Sequence, residues 1–566
     1  MNPVEAPLTA PAPLAIGRGD ELSVGVRARA RAAPWALSLG VLFVYLLFPT
    51  RNYYWDGIDF ALTVEQSRGL GPALIHPHHL LYNVFGYYVY HAFEALGLQV
   101  RAVHALQAAN ALLSALSALL LHRFLSRTLR STFLSATLTL LFSFSATWWK
   151  YSTDADSYVL SVLSLLVCLN LLFAARGPRP WSVALAHSAG MFMHQLAVFF
   201  YPVIVLGLLL DGRGLTRRRR LILVLQYSVA ASSFTLAVNY FCFHLQTGGY
   251  GPADFVAWLT SYVQGPQAYS LGFDWREVVV HTFRGHARLF FGGRFNWLDG
   301  LLGLPVLTLL ATLIAVASFL VYETFRGFKT IVSSFKSPVA LDDKARWAAA
   351  ACGLWACAYF AFLCFWYPYF TPYRMFYLPA LVFLLGAAAV RYDLLRTPRR
   401  RRFASMFVAA MALSNFLFFI YPLSHVEKNP AVEMALGMGE AWPAGTVVYY
   451  ARPNADNELF HYFNPATDWR KLDADPGGSF EETLREVYGR GGGAWLDASA
   501  LDRMQSSPAG SRWLAEHSAG GRRVELVGGG YRIIFVQVMP SAAAGDAQAR
   551  DVSRGGGGGL DEDTVE

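Results

Sequence analysis

The sequence predicts an all-α polytopic membrane protein of about eleven spanning helices, with a small α/β soluble domain at its C-terminus. Three observations predict this. Of the 566 residues, 54% are hydrophobic and only 15% are charged. The apolar residues come in long runs almost free of charge, such as Leu301 to Val321 and Phe403 to Tyr421, and runs of about 20 residues match a bilayer core. Soluble core helices would instead interleave polar residues every turn. After Pro422 the long runs stop and short strand-like and helix-like segments alternate.

The first apolar run, Pro34 to Pro49, follows a polar tail and is not followed by a small-residue cleavage site. It is read as an uncleaved first helix rather than a signal peptide. Arg27, Arg29 and Arg31 precede it and place the N-terminus in the cytoplasm. Arg123/Arg127/Arg130, Arg176/Arg179, Arg213/Arg217 to Arg220, Arg326 to Arg346 and Arg391 to Arg402 mark later returns to that side. Three apolar stretches lie between Arg31 and Arg123, where only two crossings fit. The middle one, His79 to Leu98, carries His91, Glu94, Asn83 and many tyrosines, so it is expected to lie at the membrane interface. The other spans are expected at 102–122, 131–149, 157–175, 181–194, 196–210, 219–243, 299–322, 346–366, 373–391 and 403–422. The outer loops are then 50–101, 150–156, a turn at His194–Gln195, 244–298 and 367–374.

Gly445 to Tyr450, Ala494 to Leu496 and Tyr531 to Val538 read as strands, and Phe480 to Tyr488 and Ala500 to His517 as helices. The expected organisation is a cytoplasmic tail (1–33), a membrane module (34–422), an outer α/β domain (425–540) and a disordered acidic tail (541–566). The net charge of +8 gathers in the short stretches between apolar runs, which orients a membrane protein and argues against nucleic acid. Cys168, Cys242, Cys352, Cys357 and Cys364 all fall in apolar segments, so they report no disulfide framework. The Ala, Arg and Gly bias favours a bacterial inner membrane, with the C-terminal domain in the periplasm.

Ionisable residues gather in the expected outer loops. Asp56 and Asp59 follow the first helix, and His76, His78 and His79 open the interfacial one. The second outer loop holds Lys150, Asp154 and Asp156, followed by Tyr158; His194 and Arg374 sit in two others. Ionisable groups at helix ends on one side of a membrane suggest a shared site. A carboxylate there can take a proton from an acceptor hydroxyl, and histidine, lysine and arginine can hold a phosphate leaving group. Adjacent histidines on one helix point in different directions, so zinc on His76, His78 and His79 is not favoured.

At these residues the chain resembles the GT-C superfamily of membrane glycosyltransferases, nearest the protein O-mannosyltransferase and lipid A aminoarabinose transferase group. Asp56-Gly57-Ile58-Asp59-Phe60-Ala61 stands where that group has Asp-Glu-x-x-Tyr-Ala, and His76-Pro77-His78 where it has His-Pro-Pro or Lys-Pro-Pro. Asp156-Ser157-Tyr158, the segment from Gly190 to Gln195, and Arg374 followed by Phe376-Tyr377-Leu378-Pro379 resemble later family segments. Gly57 replaces the usual Glu, and His78 the second Pro. The resemblance covers roughly residues 34–400. It implies inverting transfer of a sugar from a polyprenyl-phosphate donor to a protein, lipid or glycan hydroxyl. Asp56 would be the general base, a role that Asp59 could share or take. His76, His79, Lys150, His194 and Arg374 would bind the donor phosphate, and Asp154, Asp156 and Tyr158 would orient sugar or acceptor. No cofactor is implied, and a divalent metal is not favoured. The alternative is a multi-pass transporter or lipid flippase, which would place its charges near the bilayer midplane.

Overall fold

The computed structural model describes residues 24–174, 177–210, 214–261, 273–335, 338–442, 445–451, 455–472, 478–528 and 531–540. The expected tail from Ser541, and residues 1–23 of the expected N-terminal tail, lie outside them. The membrane module contains α1 (Val24–Leu47), α2 (Trp55–Gln66), α3 (Tyr82–Ala95), α4 (Ala102–Leu129), α5 (Thr132–Ser143) and α6 (Ala146–Ser152). It continues through α7 (Tyr158–Leu172), α8 (Pro180–Met193), α9 (Tyr201–Leu209), α10 (Arg217–Thr247), α11 (Pro252–Leu259) and α12 (Trp275–Phe290). It ends with α13 (Leu304–Phe335), α14 (Asp343–Phe365), α15 (Leu378–Arg391), α16 (Pro398–Asn415) and the single turn α17 (Tyr421–Leu423).

Among the described residues, six helical segments are long and apolar enough to cross a membrane: Ala102–Leu129, Arg217–Thr247, Leu304–Gly327, Asp343–Phe365, Pro372–Arg391 and Pro398–Leu423. Ala32–Leu47, Thr132–Ser143, Tyr158–Leu172 and Gln195–Leu209 are apolar but shorter. The expected span 181–194 is α8, whose 14 residues reach about 21 Å at the helical rise, short of a bilayer core. The expected span 131–149 breaks in two. Ser145 sends its hydroxyl to the Phe142 carbonyl (2.9 Å), a local bond that competes with the helix, and α6 departs from there with both Trp148 and Trp149 buried. The expected span 299–322 runs on to Phe335, with Glu323 paired to Arg399 of α16 beyond the apolar stretch. α3 occupies the stretch expected at the interface, but α2, α11 and α12 form where loops were expected.

The core of the module is one cluster linking α4, α5, α7, α8, α9, α14 and α15, with Trp148, Trp355, Tyr158 and Tyr359 fully enclosed. Start signals are local and sequence-encoded. The side chains of Ser131, Thr216, Asp342 and Thr397 accept N–H bonds at the N-termini of α5, α10, α14 and α16, each worth about 1 kcal/mol.

Beyond α17 come α18 (Pro430–Ala441), β1 (Val447–Tyr450), α19 (Ala455–Phe463), β2 (Asp468–Lys471), α20 (Gly478–Gly489) and β3 (Ala494–Asp497). The remaining elements are α21 (Ala498–Gln505), α22 (Pro508–His517), β4 (Arg523–Gly528) and β5 (Tyr531–Val538). The sheet order is β2-β1-β3-β5-β4, parallel across β2-β1-β3 and antiparallel across β3-β5-β4. Strand alternation gives it two buried faces. Val447, Tyr449, Leu496 and Val538 pack with α20, α21 and α22, while Val448, Trp469, Trp495 and Phe535 pack with α18 and α19 and, through them, with Ile58, Ala61 and Val64 of α2. The expected helix 500–517 is two helices because Pro508 starts the second. The two strands missed by the sequence reading are the sheet edges, where exposed polar residues such as Asp468, Arg470 and Lys471 mask the pattern.

Candidate active site

Asp56 stands in the first turn of α2, and its position is fixed by the loop between α6 and α7. Buried amides of α4 hold that loop. Gln107 Nε2 donates to the carbonyls of Thr50 and Thr153 (both 2.8 Å), and Asn110 Nδ2 to those of Asp154 and Asp156 (both 2.7 Å). The Tyr82 hydroxyl donates to the Ala155 carbonyl (3.1 Å). Asp154, fully buried, accepts the Tyr54 backbone N–H on Oδ2 (3.0 Å) and pairs the same oxygen with the Lys150 ammonium. That bond sets the start of α2 two residues before Asp56. Gly57 follows because α2 crosses the loop closely: a Cβ there would lie 3.2 Å from the Ala155 carbonyl carbon and oxygen. Glycine makes this approach without displacing the loop, where a side chain would push the Ala155 carbonyl aside by a few tenths of an ångström.

The carboxyls form a graded set. Asp156 is fully buried; its Oδ1 accepts the Ser157 N–H (2.6 Å), and its Oδ2 has no partner among the described residues. Burial, then the Asp154 charge, pushes its pKa up to about 7, opposed by Lys150. Asp56 is held well above the usual carboxylate range by burial first and then by the charges of Asp156, Asp59, Glu458 and Asp154. Asp59 is raised by burial. Glu458 of α19 was missed by the sequence reading. Burial, with Asp59 beside it, pushes its pKa up to about 7, and nothing in the local sequence of a motif-free domain marks it.

The histidines pack from two segments. The loop after α2 is tied to the turn after α8 by Leu81 N–H to Phe192 O (3.0 Å), Gln195 N–H to His78 O (3.2 Å) and Gln195 Nε2 to Pro77 O (2.9 Å). The His76 ring lies 5.5 Å from His78 and 5.4 Å from His79, and His79 lies 4.7 Å from His194. His79 is engaged internally, its Nδ1 facing Ser157 Oγ (2.9 Å) and the Met193 carbonyl (3.2 Å). Burial pushes His76 down to about 4 and lowers His78 and His79. Among the described residues, no three His, Cys, Asp or Glu side chains are placed to hold a metal ion.

His194 is the most informative of the four. Its Nδ1 accepts the Leu196 backbone N–H (3.1 Å), so in the neutral ring the proton must sit on Nε2. That N–H is buried and has no partner among the described residues. Around it stand the rings of Tyr158 (5.2 Å), Tyr373 (5.6 Å) and Phe376 (5.0 Å). Arg374 is buried in the short helix Pro372–Tyr377. Its guanidinium donates to the carbonyls of Phe370 (3.0 Å), Pro368 (2.6 Å) and His281 (3.2 Å), leaving Nε without a partner among the described residues.

Of the predicted site residues, Asp56 and Tyr158 line an open pocket, together with Tyr54, Trp55, Trp366, Tyr367, Phe370 and Tyr373; the histidines, Arg374, Asp59, Asp154 and Asp156 are not part of its lining. The bulky Tyr367 adopts a left-handed φ of 57° at its rim, a strained conformation of the kind that gathers at functional sites. Two of the lining rings, Tyr158 and Tyr373, pack on the His194 ring, and Asp56 supplies an acid to the pocket. Lys150 and Asp154 neutralise one another beneath it.

No protein-family model and no curated protein sequence matches the chain. Solved structures do. The crystal structure of ArnT from Cupriavidus metallidurans bound to undecaprenyl phosphate aligns over 90% of this chain and 98% of that one, at 13% identity and a TM-score of 0.55. The apo structure of the same protein aligns equally well. The chain therefore adopts the fold of ArnT over nine-tenths of its length, in keeping with the GT-C resemblance read from its sequence.

Proposed function

We propose that this protein is a glycosyltransferase that moves a sugar from a polyprenyl-phosphate donor to a hydroxyl acceptor, with inversion, on the outer side of the membrane. The observation that supports the reading is Asp56, raised in basicity, in an aromatic-walled pocket. Two of the pocket's rings, Tyr158 and Tyr373, also pack on His194, which carries a buried N–H without a partner among the described residues. The ArnT structure with undecaprenyl phosphate supports a lipid-phosphate ligand for this fold.

In the reaction, the acceptor O–H proton passes to the Asp56 carboxylate as the acceptor oxygen bonds to the anomeric carbon. The bond from that carbon to the phosphate oxygen breaks on the opposite side, and its electron pair leaves with the polyprenyl phosphate. A fixed N–H donor aimed at the departing oxygen offsets the growing charge at no cost in reorganisation. We assign that role to His194 Nε2, with His76 and Arg374 as the further candidates for the phosphate. Asp59 is the second carboxyl able to serve as base. Burial and then the Asp156 charge keep Asp56 basic, and Tyr158 forms part of the aromatic wall beside the sugar.

The test is turnover of a panel of radiolabelled polyprenyl-phosphate sugars by purified wild type and Asp56→Asn in detergent. Transfer or donor hydrolysis by the wild type alone is the expected result. A monodisperse wild type that neither binds nor consumes any donor overturns the reading in favour of transport.

A further inference from the structure

Outside the pocket, α12 and the loop that follows it carry an unmatched basic surface on a rigid mount. At about 100° per residue, α12 divides into three faces. Val278, Gly285 and Leu289 are buried against the module. Val279 and Phe283 lie on the next face and are exposed, as is Trp275 at the start of the helix, while the exposed Val280 stands one turn before Arg284. Arg284 and Arg288, one turn apart, form the third. A helix with an aromatic-apolar face beside an arginine face lies in the boundary between lipid chains and headgroups.

The mount is strong. Asn415, fully buried, donates to the carbonyls of Phe144 (2.8 Å) and Phe290 (2.7 Å) and accepts the Gly292 N–H (3.1 Å). Thr147 donates to the Arg288 carbonyl (3.0 Å), and the Arg294 N–H to that of Phe418 (3.1 Å). At Gly293, φ is +81° and a Cβ would collide with the Phe418 carbonyl oxygen, so the turn that delivers Arg294 tolerates only glycine. Arg284 and Arg294 both bear on the charge of Arg288. None of the three guanidinium groups has an ion-pair or hydrogen-bond partner among the described residues, and all three are exposed. Phe291 and Phe295 flank them, also exposed. Three like charges on elements fixed by backbone bonds, with no acid within four residues of any of them, are stabilised by an external anion, and the aromatic flank places that anion at a lipid surface.

We infer that Arg284, Arg288 and Arg294 form a binding site for the phosphate headgroup of an anionic phospholipid, seated beside α12 at the membrane boundary. The site is separate from the pocket at Asp56 and does not depend on the proposed reaction.

The test uses the full-length protein in nanodiscs and two phospholipid probes with a photoreactive headgroup, phosphatidylglycerol and phosphatidylcholine, with adducts mapped by peptide mass spectrometry. The expected result is adducts within residues 283–295 from the anionic probe alone. In R284Q/R288Q/R294Q affinity for that probe falls roughly a hundredfold, at the value per arginine typical of basic clusters on membranes. Arg276→Gln, on the lipid-facing side, keeps the adducts. Equal labelling by both probes, or undiminished labelling of the triple variant, overturns the site. Loss of labelling in excess inorganic phosphate overturns the lipid and assigns the arginines to a soluble anion. Circular dichroism and size exclusion of the triple variant confirm that it is folded, as exposed side chains predict.

Discussion

Lys150 and Asp154 form a buried ion pair whose carboxylate oxygen also receives the Tyr54 N–H, so one acid both neutralises a cation and anchors the helix that carries Asp56. Asp154 is fully buried and Lys150 nearly so. Removing one partner of such a pair strands the other charge and costs about 3–5 kcal/mol, whereas removing both is far milder. Asp154→Asn is therefore expected to lower the thermal midpoint of the purified protein sharply, and Asp154→Asn with Lys150→Met to recover much of the loss. If Lys150 instead held the donor phosphate with no structural duty, Lys150→Met alone would leave the midpoint unchanged.

Asp56 and Asp59 are one turn apart on α2, and both are raised by burial. Asp56 lines the pocket and Asp59 does not. Asp56→Asn is expected to reduce turnover by about 10²–10⁴-fold, the usual contribution of a general base, with lipid-phosphate binding intact. Asp59→Asn is expected to retain most activity. The reverse ranking would move the base to Asp59.

The membrane class, the helix at α3 and the strands β1, β3 and β5 of the domain could be read from the sequence because long apolar runs and strand alternation are local signals. The break at Ser145 was not, since it follows from one side-chain hydrogen bond inside an otherwise continuous apolar run. The acids and histidines near the pocket were legible as ionisable groups at helix ends. What each of them does was not, because that depends on long-range partners. Lys150 looks like a free cation until Asp154 is seen beside it, and His194 becomes a defined donor only once Leu196 N–H occupies its Nδ1. Glu458 lies roughly 400 residues from Asp56 along the chain, a separation that no local pattern spans.

His194 presents a donor that has no partner among the described residues. A hydrogen bond to a charged group contributes about 1.5–3 kcal/mol, so His194→Ala is expected to weaken undecaprenyl phosphate binding by roughly 10- to 100-fold. His194→Gln, which keeps an N–H, should recover part of it. Isothermal titration in detergent makes the comparison, and equal affinity in wild type and His194→Ala would remove this residue from the phosphate site.

The C-terminal domain is fastened to α2 and α4 by a compact polar knot. The Tyr462 hydroxyl donates to Glu65 Oε1 (2.7 Å) and accepts the Val103 N–H (3.0 Å), while Arg101 bonds Glu65 (2.9 Å) and the Tyr462 carbonyl (2.6 Å). Tyr462→Phe leaves the Val103 N–H unsatisfied and is expected to cost about 1–3 kcal/mol. Because Glu458 sits one turn earlier on α19, loosening this knot should also lower activity. Faster proteolytic release of residues after Pro430, alongside reduced turnover, is the expected pair of results. Unchanged proteolysis would place the fastening in the apolar contacts of α18 and α19 instead.

The pH dependence of turnover reports the charge around Asp56. Its pKa is raised, by burial first and then by Asp156, Asp59, Glu458 and Asp154, while Lys150 is matched to Asp154 beneath it. A base works only when deprotonated, so the rate is expected to fall as pH drops through a value well above the ordinary carboxylate range. Asp156, itself raised to about 7, bears on Asp56 through its charge, and the limb belongs to the pair. In Asp156→Asn one negative neighbour disappears, so Asp56 gives up its proton more readily and the acid limb moves to lower pH. A neutral amide also weakens Asp56 as a base, so the plateau rate falls while the limb shifts. A limb that stays in place in Asp156→Asn, with Asp56→Asn still inactive, would show that the titrating group is elsewhere.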